Sequence, residues 1–316
     1  MVFLSVGVRF EANVEALNMV ETAGNYGKHR RVPYLVEEDG KLKTVYVPAI
    51  SGESLAHAYQ EHLVREALSA GLPVCDDCQR GEFYKSMNKV HLGKKVNPIP
   101  DDPKAIEEAI VKACVVEDVG GFLYAEKPPV RRSSAFQVSY ALPVKSVALF
   151  ATSEPQLHAR HAQMDASSKK GNASEQMIYY VETGTALYGF TFNLDLDAVG
   201  VSAITSKPVL DGDEIKKRRE VSLKALFRML SSSQFGAKLS RFFPVGGITE
   251  LVVAVTDHPF VVTSPIYDDY IEKTKRRLEV LKSFGEESFL VVAGEEKVPE
   301  EALKEAIDYL NEKGAF

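Results

Sequence analysis

Four short stretches of this chain combine cations with hydroxyls or glycines, the side chains that hold phosphate. The most informative is Val47-Pro48-Ala49-Ile50-Ser51-Gly52-Glu53-Ser54, which begins sixteen residues after the basic run Lys28-His29-Arg30-Arg31. Leu55, Ala58, Tyr59, His62 and Leu63 then repeat at helical spacing, so Ser51 stands where an N-cap belongs. The free N–H groups of a first helical turn attract anions, and Ser51, Gly52 and Ser54 are small enough to admit one. Arg131-Arg132-Ser133-Ser134 leads into another extended segment, and His158-Ala159-Arg160-His161 precedes Lys169-Lys170. Arg241-Phe242-Phe243-Pro244-Val245-Gly246-Gly247 joins a guanidinium to a glycine pair that allows close backbone approach. Each has a plain structural alternative: a helix cap, a solvated polar loop, or a loop with a buried phenylalanine pair.

Cys75-Asp76-Asp77-Cys78 has the spacing of half a zinc site, which His91 and Cys114 could complete. A second close pair is missing, so the expectation is no metal and no cofactor. The alternatives for the cysteines are a surface turn or a reversible disulfide. The chain carries no nucleophile elbow, P-loop or dinucleotide fingerprint, and no carboxylate pair placed for acid–base work. No catalytic residue is assigned.

The elements that must position these groups follow from periodicity. Residues 2–12 alternate as a strand; they lack a basic start and a cleavage site, so they do not read as a signal peptide. Residues 18–44 read as a long polar loop with a hairpin at Asp39-Gly40, and 52–70 as a helix ended by Gly71. Residues 134–151 and 177–196 read as strands, and 212–231 as an amphipathic helix. A short strand at 249–256 precedes helices at 265–283 and 299–313. The core order is strand, helix, strand, strand, helix, strand, an α+β, ferredoxin-like arrangement. The expectation is one elaborated domain over 1–316, with its core from about 1–20, 45–70, 134–152 and 177–257. Insertions fall at 21–44, 71–130 and 153–176, the last a protruding polar arm, and 265–316 is a C-terminal helical segment.

Composition sets the outer limits. The 316 residues are 45% hydrophobic and 26% charged, with no apolar run long enough for a membrane helix. Three cysteines point to a reducing cytoplasm. The net charge of −6 argues against nucleic acid only until it is divided. Residues 286–316 hold nine acidic and three basic side chains, whereas 207–241 hold nine basic and four acidic. A polyanion on one face fits that division, as do merely solvated helix faces.

Phe10-Glu11-Ala12-Asn13-Val14-Glu15-Ala16-Leu17-Asn18, the 47–54 stretch, Arg131-Arg132-Ser133-Ser134, Tyr188-Gly189-Phe190, Asn193-Leu194-Asp195-Leu196 and Phe243-Pro244-Val245-Gly246-Gly247 occur in a fixed order. In order and spacing they resemble the repeated backbone subunit of the type I CRISPR surveillance complex, Cascade, in its archaeal, DevR-like type I-A branch. The resemblance implies a modified RNA-recognition-motif core with a thumb. It implies copies stacked head-to-tail along CRISPR RNA, contacts with other Cascade subunits, no membrane, and target DNA read by base pairing. By this mapping Ser51, Gly52 and Ser54 meet phosphate. Asn18, Lys28, His29, Arg30 and Arg31 line the groove, and 153–176 is the thumb, with His158, Arg160 and His161. Lys169, Lys170, Arg131, Arg132, Ser133, Ser134, Arg241, Gly246 and Gly247 complete the expected RNA contacts. Two other readings remain open. Type III backbone subunits cut RNA with an acidic residue after the first strand, where this chain offers Glu21 and no aspartate before Asp39. A metal-dependent enzyme would be built on Cys75, Cys78 and His158 or His161.

Overall fold

A computed structural model describes residues 2–15, 19–23, 26–160, 177–234 and 247–316. The chain opens with β1 (Phe3–Glu15), β2 (Met19–Ala23), β3 (Tyr26–His29) and the hairpin of β4 (Arg31–Glu38) and β5 (Lys41–Pro48). The turn between β4 and β5 has Asp39 at φ 53° and Gly40 at φ 72°, the positive pair that a two-residue hairpin matching strand twist demands. The hairpin is where the sequence puts it; the loop expected around it is instead mostly strand. Its polar composition reflects an edge ribbon that buries Tyr34 and Val36 and exposes the residues between.

Next come α1 (Gly52–Ser69), α2 (Asp76–Gln79), α3 (Lys89–Gly93), α4 (Pro103–Ala113), α5 (Val115–Gly120), β6 (Phe122–Tyr124) and β7 (Val130–Arg132). The single strand expected at 134–151 is broken into β8 (Phe136–Val138), β9 (Leu142–Pro143) and a 3-10 turn, Lys145–Phe150. The cause is a competing partner: Ala141 exchanges both backbone hydrogen bonds with Ile50, at 2.9 and 3.1 Å, and so leaves the ladder. β10 (Thr152–Arg160) and β11 (Met177–Asp195) follow, then α6 (Gly212–Ser231), β12 (Gly247–Thr256), α7 (Tyr270–Ser283), β13 (Ser288–Ala293) and α8 (Pro299–Glu312). Two corrections arise here. The first part of the expected arm is a strand paired with β11 from Thr152 opposite Thr185 to Arg160 opposite Met177. The C-terminal segment is not purely helical, because β13 pairs with β12 and closes the sheet edge.

The main sheet runs β13-β12-β1-β11 and continues into β3-β2, with β8, β9 and β10 along the other edge of β11. β1 is antiparallel to both its neighbours. Alternation decides its two faces. Leu4, Val6, Val8 and Phe10 face a core shared with α1, α6 and α8. On the opposite face Val252 and Ala254 pack under Tyr270 and Leu278 of α7. Residues 257–269 strap across this second face, and Gly189 permits it, since a Cβ there would meet the Pro265 backbone at 2.8 Å. Arg9 takes the carbonyls of Pro265 and Tyr267 at 2.7 and 2.6 Å. α7 starts at Tyr270 rather than at 265, after this strap. Among the described residues, no helix is long and apolar enough to cross a membrane.

Candidate nucleic-acid interface

The β4–β5 hairpin folds the basic run back onto the start of α1. Ala49 N–H donates to the Arg30 carbonyl at 2.9 Å, and Arg31 stands opposite Pro48. Two stretches separate in sequence thus form one edge. Lys28 and Arg31 are exposed and Arg30 is half-buried. The Arg31 guanidinium donates to the Tyr46 carbonyl at 2.7 Å, which lays it along the hairpin.

The run is split by the strand's own geometry, because successive side chains point to opposite faces. His29 is only 3% exposed. Its backbone N–H donates to Glu182 at 2.8 Å, and Nδ1 lies 3.0 Å from the Arg30 carbonyl. Burial holds its imidazole below the usual range, which favours the neutral ring. His29 is therefore a packing residue, not the groove contact the sequence suggests.

The start of α1 is also partly corrected. Ser51 is extended at φ −71°, ψ 152°, and its hydroxyl accepts from Ser54 N–H at 3.3 Å, as an N-cap should. Yet Ser51 is 2% exposed, and a Cβ on Gly52 would sit 2.9 Å from the Val138 carbonyl oxygen. The space that small residues leave here is filled by the chain itself. Glu53 supplies the anion: backbone N–H and the Ser51 hydroxyl hold its carboxyl below the usual range, and Arg30 adds to the effect. Ser54 stays at the half-buried margin.

Arg131-Arg132-Ser133-Ser134 divides in the same way. Arg131 and Ser133 are exposed, while the Arg132 side chain is 3% exposed. Its guanidinium donates to Asp118 Oδ1 at 2.6 Å and Glu107 Oε1 at 3.3 Å. It also donates to the carbonyls of Asp118, Val201 and Ala198 at 2.9, 2.6 and 2.6 Å. Asp118 reaches a second buried cation, Arg218, at 3.0 Å. Arg132 is thus a buried tie and not a phosphate ligand. The Ser134 hydroxyl donates to the Val119 carbonyl at 3.3 Å.

On the extension formed by β10, β11 and β3, cross-strand pairing brings aromatic rings together. His158 opposes Tyr179 and stacks on it, centroids 5.1 Å apart and planes 10° apart. Tyr26 opposes Tyr180, with centroids 5.9 Å apart, and its hydroxyl donates to Glu182 at 2.6 Å. Tyr179 and Tyr180 are 38% and 41% exposed. Sequence reading did not place these rings among the candidate RNA contacts. The signal was the consecutive pair Tyr179-Tyr180, which a strand must place on both faces. Gly247 opens β12 at φ 66°, opposite Glu11. Asn18, His161, Lys169, Lys170, Arg241 and Gly246 lie outside the described residues, and Arg160 is described only as backbone of β10. Across the sheet, an open groove lined by Arg9, Glu11, Glu250 and Glu295 is acidic, since Arg9 is already paired with Glu250 at 2.8 Å. Lys28 and Arg31, with the half-buried Arg30, form a basic edge on the strand that carries Tyr26 and on the hairpin next to it.

The fold is shared with a solved structure. That structure is a chain of a "CRISPR RNA-guided surveillance complex, pre-nicking", which shares this fold at a TM-score of 0.51 and 12% identity, over 99% of this chain and 100% of that one. The sequence goes further. The family model "CRISPR-associated negative auto-regulator DevR/Csa2" matches residues 6–275, and the chain belongs to that family. The "CRISPR-associated aCascade subunit Cas7/Csa2 2" of Saccharolobus solfataricus is 38% identical over 283 residues, 87% of this chain and 86% of that protein. The "CRISPR-associated protein Cas7/Cst2/DevR" of Methanocaldococcus jannaschii is 30% identical over 303 residues, 90% of each.

Proposed function

We propose that this protein is a CRISPR RNA-binding backbone subunit of an archaeal Cascade-type surveillance complex. It lines up along the guide RNA and presents it for pairing with target DNA, without catalysing a reaction itself. The observation that carries this reading is the 38% identity, over most of both chains, to the Saccharolobus subunit. The core is of the ferredoxin-like type: β12, β1, β11 and β8 lie side by side in that order, each antiparallel to the next, with α1 and α6 packed together on one face. Lys28, Arg30 and Arg31 supply phosphate contacts, and Tyr179 and Tyr180 offer faces on which bases stack whatever their identity. Copies associate head-to-tail, a heterologous arrangement that gives open filaments when its rotation does not close.

The test is purification of the chain from cells that transcribe a CRISPR array. A ladder of short RNAs sharing one repeat-derived end is expected to copurify. Guides of unrelated spacer sequence should then bind within a few-fold of one another. Recovery of the protein free of RNA, or a hundredfold preference for one spacer, would refute the proposal.

A further inference from the structure

The insertion after α1 holds all three cysteines of the chain, and folding gathers them. Cys75 caps α2 and Cys78 lies inside it; Cys114 caps α5, and Glu117 lies in its first turn. Three sulfurs and one carboxylate oxygen from these residues all lie within 4.8 Å of one another. Every member is buried, from 9% exposure at Cys75 to 0% at Cys114 and Glu117. We propose that Cys75, Cys78, Cys114 and Glu117 form a structural zinc site, an inference independent of the RNA-binding reading.

Four observations carry it. First, the missing second pair is present in space: Cys75-x2-Cys78 is matched by Cys114-x2-Glu117, each pair on the first turn of a short helix. A three-residue step on a helical turn aims both side chains the same way. Second, the size fits. Ligand atoms about 2.0–2.3 Å from a tetrahedral zinc are about 3.3–3.8 Å apart. Third, the charge balances. Zinc with three thiolates and a carboxylate carries a formal −2. Lys95, its side chain 8% exposed, is ion-paired with Glu117 and has Nζ 3.4 Å from Cys75 Sγ. The half-buried Lys85, whose ammonium donates to the Gly120 carbonyl at 2.7 Å, lies in the field of Cys78, Cys114 and Glu117. Two ammonium groups neutralise the complex; without thiolates they face Glu117 alone. Fourth, the carboxylate is oriented from behind. Ser86 is fully buried at φ 53°, and its hydroxyl donates to Glu117 Oε2 at 2.6 Å.

His91, the ligand suggested by sequence, is engaged elsewhere, with Nδ1 2.7 Å from Asp77 Oδ2. His158 is not a member of the cluster either. A cleft lined by Cys75, Asp77, His91, Lys94 and Lys95 opens beside the site and gives an ion access. All four coordination positions are filled by protein, which makes the site structural and not catalytic. Its effect is to clip the start of the insertion to α5, where the next residue, Asp118, anchors Arg132 and Arg218.

The experiment uses the full chain, purified under reducing conditions and assayed for metal by plasma mass spectrometry. About one zinc per chain is expected, with all three thiols slow to alkylate until a chelator is added. Replacing zinc by Co2+ should give thiolate-to-cobalt charge-transfer absorption and the intense d–d bands of four-coordinate cobalt. Cys114→Ser should lose the metal. Because that variant can also fail to fold, Ser86→Ala is the second arm: it keeps every ligand and should weaken zinc about 10–100-fold. Three outcomes would each overturn the proposal: reduced wild-type protein that takes up no zinc, a six-coordinate cobalt spectrum, or a Cys75–Cys78 disulfide that persists with Cys114 free.

Discussion

Two basic stretches of this chain look alike as sequence and meet opposite fates. Lys28-His29-Arg30-Arg31 ends in an edge ribbon, which leaves Lys28 and Arg31 to solvent. Arg131-Arg132-Ser133-Ser134 runs past α4 and α5, where Glu107 and Asp118 are 0% exposed and draw Arg132 inward. An arginine's role is decided by whether a buried carboxylate waits for it. One cluster reads as an RNA surface and the other as a tie holding the insertion to the core.

The contrast can be broken most forcefully at Arg132. Arg132→Met leaves two buried carboxylates without this partner and should destabilise the fold by about 3–5 kcal/mol, read by denaturant unfolding. RNA affinity per folded molecule should be unchanged; a large fall in affinity in a stable variant would place Arg132 on the RNA after all. Gly52→Ala tests whether the α1 start is closed. Its Cβ would press on the Val138 carbonyl at 2.9 Å, and strain of about 1–3 kcal/mol is expected. Full stability with weakened RNA binding would mean that Gly52 faces ligand.

Arg30→Ala with Arg31→Ala should do the reverse of Arg132→Met. Stability should move by less than about 0.5 kcal/mol each. RNA affinity should fall about tenfold, equivalent to about 1.4 kcal/mol. The slope of log K against log salt should flatten by about 0.7 for each phosphate that is no longer neutralised. Unchanged affinity and slope would move the interface off this edge. The smallest expected effect is at His29 and His62, both held below the ordinary imidazole value by burial. As pH falls below about 6.5, the unfolded chain takes up protons that the native rings resist, so stability falls with falling pH. His29→Gln with His62→Gln should flatten the stability profile between about pH 7 and 5. An unaltered profile would show that neither ring is held neutral.

Much of the fold was legible because it is local. β1 alternates cleanly, α1 and α6 repeat at helical spacing, and Asp39-Gly40 can turn a hairpin in only a few ways. The errors arose where a distant partner overrode a local pattern. Ile50 pulled Ala141 out of a strand, and residues 257–269, tied down by Arg9, strap across the sheet where a helix was expected from 265. The β4–β5 hairpin brings the basic run and the start of α1 together, as Arg31 stands opposite Pro48 and Ala49 N–H donates to the Arg30 carbonyl. Sequence could not tell Lys28 from His29, or Arg131 from Arg132, since burial depends on what lies opposite.

The sequence by itself determined the periodic elements, the order of the motifs and hence the family, because these are properties of neighbours along the chain. Tertiary structure decided which cations face water, which rings stack across β10 and β11, and that Cys114 and Glu117 complete what Cys75 and Cys78 begin. The reason is physical. Desolvation, charge pairing and ligand geometry act between groups a few ångströms apart, and in this chain such groups stand a hundred or more residues from one another, as Asp118 and Arg218, or Arg9 and Glu250, do.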